Sequence, residues 1–365
     1  MTAVKPVLDA YLELNLVLAL SAIVWLASRA LLSRTRLGHS YVVQLQALKA
    51  LCVCVILSPI LALGATSIAA QLWPGQTVAF GDIAVAAYLR GDIAIPAIQF
   101  EALLNTRQHL VELLMSGENS ALTGIFYLLA ATSALLALRV FRDALVIREA
   151  VHNSFLWRSS NKVDIRLSDR VSVPFAVRGL RRCHIVLPSH LLDTPRELRF
   201  ALAHELQHVR SHDVEWELGL ELLRPLLFWN PAYLVLKYQF NRLRELACDQ
   251  SVVTRKGIDA RDYTSCLLDY CARTVARNHP KVLNVALVSE GKAKRVLRQR
   301  VIALADAPTI QSAVPMAFLG LSLMFAVLLA VGSAGMQQTQ DWSHDRLMLS
   351  TVVNLERLQA RNQGN

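Results

Sequence analysis

The chain has 365 residues, of which 54% are hydrophobic, and its 38 Lys+Arg against 28 Asp+Glu give a formal net charge of +10. That apolar share, with a positive mean hydropathy, excludes an ordinary soluble protein of this length and predicts membrane-spanning segments. The basic residues are scattered and accompany no nucleic-acid-binding motif, so direct nucleic-acid binding is not expected.

Four segments are long and apolar enough to cross a bilayer. The first covers about residues 12–32, with Glu13 near its outer end. It lacks a short apolar core followed by a small-residue cleavage site, so a retained anchor is expected rather than a cleaved signal peptide. The second covers about 48–70, with Pro59 as a kink, and the third about 121–138. The fourth, about 313–336, holds no charge. Orientation follows from Lys and Arg placement. Arg34 and Arg36 follow the first span, whereas the loop at about 71–119 has two Arg against five acidic residues; residues 139–311 carry 28 Lys+Arg and 18 Asp+Glu. The expected protein is a multi-pass chain of a bacterial-type plasma membrane with both termini outside. Residues 1–138 form three spans with an extracytoplasmic loop at about 71–119. Residues 139–312 form a cytosolic domain, 313–336 the fourth span, and 337–365 a short outer tail with an amphipathic helix at 347–358. The bilayer is itself a partner, its anionic inner leaflet matching the positive surplus.

Within the cytosolic part, residues 139–157 continue the third span as helix. Short β-branched runs at 163–167, 171–177 and 184–187 predict a small sheet, punctuated by Ser168-Asp169 and Arg178-Gly179. Thr194-Pro195-Arg196-Glu197 has the form of a capping box with proline at the first helical position, so a helix starts at Pro195. Its apolar stripe runs through Leu198, Ala201, Leu202, Leu206 and Val209.

That helix carries His204-Glu205-Leu206-Gln207-His208. Residues four apart share a helical face, so both imidazoles can reach one metal ion, while Glu205, about 100° round the helix, is placed to act on water as a general base. Two ligands, an adjacent base and an open position suit metal-assisted hydrolysis. The alternative for such a pair is two satisfied histidines on a buried helix face. Downstream, Asn241–Asp249 reads as helix, with Glu245 and Asp249 four apart. One carboxylate can bind the metal and the other can accept the free ring N–H of a ligating histidine. The 36 residues between His208 and Glu245 suffice for a turn and an antiparallel return. Residues 222–236, apolar but broken by Pro225 and Pro231, are too short for a span and either pack into the core or contact the membrane surface. Cys183, Cys248, Cys266 and Cys271 fall in the cytosolic part, where thiols stay reduced, and no disulfide is expected; Cys248 is read as a small buried residue rather than a ligand.

The blocks Val173–Leu180, His184–Pro188, His204–His208, His212-Asp213, Phe228–Pro231 and Arg244–Asp249 resemble, in order and spacing, the cytosolic domain of the BlaR/MecR-type membrane metallopeptidases over roughly residues 140–255. The resemblance implies an α-helical membrane protein of four transmembrane helices with a cytosolic α+β zincin-like peptidase domain. It implies one zinc ion per chain on His204, His208 and Glu245, with Glu205 as catalytic base and Asp249 supporting a ligand from behind. His212, Asp213 and Arg244 are the nearby residues considered for oxyanion stabilisation or ligand support. It further implies cleavage of a cytosolic repressor, often with self-cleavage, and leaves a homodimer open. The β-lactam-sensing relatives carry a penicillin-binding domain after the fourth span, where this sequence has about 29 residues, so direct covalent β-lactam sensing is not expected. Two other readings stand beside this one: a quality-control or CAAX-type membrane protease, and a zinc-binding receptor or scaffold that does not cleave.

Overall fold

The computed structural model describes residues 4–58, 60, 67–68, 71, 80–116, 120–256, 258–276, 290–305, 314–336 and 344–363. Among these residues five α-helices precede the sheet: α1 (Val4–Leu32), α2 (Tyr41–Ile56), α3 (Phe80–Leu89), α4 (Ala97–Ser116) and α5 (Ser120–His152). Four strands follow, β1 (Phe155–Ser159), β2 (Val163–Ser168), β3 (Phe175–Arg178) and β4 (Cys183–Pro188). Then come α6 (Pro195–Arg210), α7 (Asp213–Leu227), α8 (Pro231–Lys256), α9 (Ala260–Ala276), α10 (Glu290–Ala305), α11 (Val314–Met336) and α12 (His344–Gln363). The chain falls into two compact units. One comprises Met1–Trp25, Lys49–Ala130 and Leu319–Asn365; the other comprises Leu26–Leu48 and Ala131–Phe318.

Among the described residues two helices, rather than the four expected, meet the length and hydropathy needed to cross a membrane, Ala10–Leu32 and Ala121–His152; the helices at Tyr41–Ile56 and Gly320–Gly332 are apolar but shorter. The expected second span, 48–70, falls partly outside the described residues, and its helix starts earlier, at Tyr41. The third span and its continuation form one helix, but it stops at His152 rather than at 157. Phe155–Ser159 is a strand instead, and its consecutive exposed Phe155 and Leu156 gave no alternation to read.

In the first unit, the expected loop at 71–119 contains α3 and α4. The expected tail helix is longer than 347–358, running from His344 to Gln363. These elements share a core of Val85, Ala97, Phe100, Leu349 and Val353. Tyr88 stacks on Phe100 with ring centroids 4.3 Å apart, Glu356 accepts the Ile98 N–H at 3.0 Å, and Arg357 donates to Glu101 at 2.7 Å.

In the second unit the sheet order is β1-β2-β4-β3, with β1–β2 and β3–β4 antiparallel and β2–β4 parallel. Gly179 closes the β3–β4 turn, its N–H bonded to the Arg182 carbonyl at 2.8 Å; a Cβ there would stand 2.9 Å from that carbonyl oxygen, so a larger residue would force the turn to shift. Helix α6 lies on the sheet: Leu198, Leu202, Leu206 and Val209 pack on Leu167, Ile185 and Leu187. Its second face contributes Phe200 and Ala203 to a core with Cys248 and Val252 of α8, Tyr263 and Cys266 of α9, and Leu304 of α10. The helix begins at Pro195 as expected, but Thr194 makes no side-chain cap. Its hydroxyl instead lies 3.5 Å from the Leu191 carbonyl, at the end of the preceding 3-10 turn. Helix α8 is also tied to the first helices: Gln250 Oε1 accepts the N–H groups of Tyr41 (2.9 Å) and Val42 (3.3 Å).

Candidate metal centre

The third face of α6 presents His204 and His208. Their Nε2 atoms are 3.2 Å apart and the rings meet edge to face at 89°. Helix α8 brings Glu245 opposite them, with Oε2 3.6 Å from His204 Nε2 and Oε1 3.8 Å from His208 Nε2. The other nitrogen of each ring meets a carboxylate. His204 Nδ1 lies 3.3 Å from Asp249 Oδ1 and 3.0 Å from the Tyr263 hydroxyl; His208 Nδ1 lies 3.0 Å from Asp213 Oδ2. Asp213 and Asp249 are each about 1% exposed, so protein groups rather than water must satisfy both carboxylates. Glu205 is buried beside them on α6.

Two arginines hold the carboxylates. Arg244 donates to Glu217 and, at 3.1 Å, to Glu245 Oε1. Arg300, from α10, donates twice to Asp249, at 2.6 and 2.7 Å, and its third nitrogen stands 3.6 Å from Glu245 Oε2. Tyr263 completes the set by donating to Asp249 at 2.9 Å. Burial alone would raise the Glu245 pKa, but the hydrogen bond with His204 and the charges of Arg244 and Arg300 hold it well below the usual carboxylate range. Asp249 is lowered in the same way, burial being outweighed by Arg300 and His204. At His208, burial disfavours the imidazolium, yet the Cys248 charge and the Asp213 hydrogen bond push its pKa up to about 10.

The fold therefore brings together His204, His208, Glu245, Asp249, Asp213 and Arg244. His212 is not among them. It sits between α6 and α7 at φ 56°, and its side chain is 75% exposed with Nδ1 3.6 Å from Glu215. Arg244 is engaged by two carboxylates, so neither residue stands ready for an oxyanion. Sequence reasoning missed Tyr263 and Arg300, which come from helices outside the motif blocks. Arg300 sits in a basic stretch read as topological bias. The usable signal was that it lies one turn before Leu304 of the core, an arginine on the apolar side of an amphipathic helix.

The donor types suit zinc, two imidazoles and one carboxylate converging with their far sides hydrogen-bonded. Cys248 competes for the third place: His204, His208 and Cys248 each put one possible donor atom within 4.8 Å of the others. Its Sγ, however, lies 3.4 Å from His204 Nδ1, on the side of that ring turned to Asp249. Glu245 faces the Nε2 pair, and an ion held by both Nε2 atoms is on its side.

The sequence profile of the BlaR1 peptidase M56 family matches residues 12–304. The chain belongs to that family. Methicillin resistance mecR1 proteins of Staphylococcus aureus, strain Mu50 among them, and of Staphylococcus epidermidis are each 33% identical to it over 94 residues. That match covers 25% of this chain and 16% of each mecR1 protein, so the chain matches about a sixth of the length of these relatives. The M56 profile reaches from α1 to α10 and takes in every residue of the cluster.

Proposed function

We propose that this M56 protein is a membrane-embedded zinc-dependent endopeptidase of a signalling system that cleaves a cytosolic, repressor-like regulator. The observation that carries the reading is the convergence of the His204 and His208 Nε2 atoms with Glu245, each histidine backed by its own buried carboxylate. When bound there, zinc supplies Lewis acidity toward the scissile carbonyl and makes water acidic enough to attack near neutral pH. Glu205 takes the proton of the attacking water and returns it to the leaving amine. Asp249 and Asp213 each accept a ring N–H from Nδ1, which fixes the tautomer and leaves both Nε2 lone pairs for the ion. Arg244 and Arg300 orient Glu245. Strand β3 pairs with β4 on one side only and packs against α6 and α7, so its outer edge is placed to align an extended peptide.

Membrane embedding is supported by the two long apolar helices. The deciding experiment compares the cytosolic proteome of cells carrying the natural protein or Glu205→Ala. A regulator fragment present only with the natural protein names the substrate; identical fragment patterns under activating conditions would defeat the endopeptidase reading.

Two further outcomes concern the ion. Asp213→Asn and Asp249→Asn are each expected to lower zinc affinity by about 10–100-fold in chelator competition, whereas His212→Asn leaves it unchanged. Zinc binding at pH 7 should also release protons. A 3.2 Å approach of two Nε2 atoms needs a hydrogen between them, and the His208 pKa of about 10 means that the metal-free pair retains a proton the ion must displace. Calorimetry in buffers of different ionisation enthalpy should read at least about one proton per zinc. Because the His208 value is raised above its ordinary 6.5, its contribution to metal-free stability is full below about pH 6.5 and is lost as pH rises through about 10.

A further inference from the structure

The apolar segment around Pro225 and Pro231 lies open on α7 and α8. Leu218, Leu222 and Leu226 recur every four residues along α7, Trp229 follows in the turn, and Leu234 and Tyr238 repeat the spacing on α8; the six are 42–60% exposed. The helices run side by side, the Tyr233 hydroxyl donating to the Leu220 carbonyl at 2.5 Å and Lys237 to Glu221 at 2.6 Å. Apolar surface left in water forfeits about 25 cal/mol per Å², and a stripe of this extent marks an interaction surface.

Three features indicate what covers it. Arg29, in the last turn of α1, donates to Gln239, the neighbour of Tyr238, and Gln250 of the same helix caps the start of α2. Helix α8 is thus fastened at the end of a helix long and apolar enough to cross a bilayer. The stripe includes Trp and Tyr, whose mixed apolar and polar surfaces favour the headgroup level. The domain that carries the stripe has a surplus of ten positive charges over residues 139–311, which suits anionic lipid, while α7 and α8 themselves balance six basic against six acidic residues. We propose that the α7–α8 stripe rests in the interfacial layer of the inner leaflet, with phospholipid as its occupant. The inference rests on α1 crossing the membrane, as proposed above, and not on catalysis. Its consequence is positional. Helix α7 begins at Asp213, the carboxylate behind His208, and Leu218 is five residues on, about 7.5 Å along the helix. The proposed metal centre therefore lies close to the membrane surface.

Benzoylphenylalanine placed singly at positions 23, 180, 222 and 238 of the full chain, in phosphatidylcholine–phosphatidylglycerol vesicles, tests this by photocrosslinking and mass spectrometry. Phospholipid adducts are expected at 222 and 238, and at 23 within α1. They are not expected at 180, where Leu180 is fully exposed in the β3–β4 turn. Crosslinks from 222 and 238 to a second copy or to another part of the same chain, or adducts there no more frequent than at 180, would overturn the proposal. Lipid at 23 with none at 222 or 238 removes the stripe but keeps the span; no lipid at 23 removes both.

Discussion

Replacing Glu205 by glutamine is expected to reduce cleavage of the regulator by about 10²–10⁴-fold, the usual worth of a positioned general base. Glutamine keeps the shape of the side chain and has no basic carboxylate. Glu205 is buried on α6 between the two histidines in sequence, yet the Nε2 convergence is made by His204, His208 and Glu245 without it. Zinc content, read by atomic absorption on the purified chain in nanodiscs, should therefore match that of the natural protein. Loss of cleavage together with zinc would make Glu205 part of the ion's support, and undiminished cleavage would remove it from the chemistry.

The second large effect separates Glu245 from Cys248. Glu245→Gln is expected to lower zinc affinity by more than about 100-fold, beyond the effect of losing a residue behind a ligand. The substitution removes the only carboxylate facing both Nε2 atoms among the described residues, and it leaves Arg244 and Arg300 without that partner. Cys248→Ala is expected to leave zinc affinity within a few-fold of the natural value. Its cost is packing, since Cys248 is buried among Phe200, Ala203 and Val252. Chelator competition decides between them: equal losses in both variants would make the thiol a ligand, and a loss in Cys248→Ala alone would reverse the assignment.

Much of the site was legible because its chemistry is local. His204, Glu205 and His208 lie within one helical turn, as do Glu245 and Asp249, so α-helical geometry alone puts each set on adjacent faces. The start of α6 at Pro195 was legible for a similar reason, although the expected hydroxyl cap is not made. Strand β1 was not, because an edge strand with two consecutive exposed apolar residues lacks the period of two. The extent of α3, α4 and α12 was also hidden. Their stability comes from a core shared between Val85, Phe100, Leu349 and Val353, up to 268 positions apart, rather than from any local signal.

By itself the sequence determined that a His-Glu-His helix, an acidic helix after it and several apolar segments belong to one chain, since each is a pattern of neighbours. Only the tertiary structure decided what stands behind the histidines: Asp213 for His208, Asp249 and Tyr263 for His204, and Arg300 from another helix holding Asp249. It also divided residues 222–236 between the two expected roles: Leu227, Tyr233 and Leu236 are buried in the core, whereas Leu222, Leu226, Trp229 and Leu234 are exposed. The reason is common to both. Hydrogen-bond partners and solvent exposure depend on which helices meet, and a sequence states spacing along one element, not which element lies across from it.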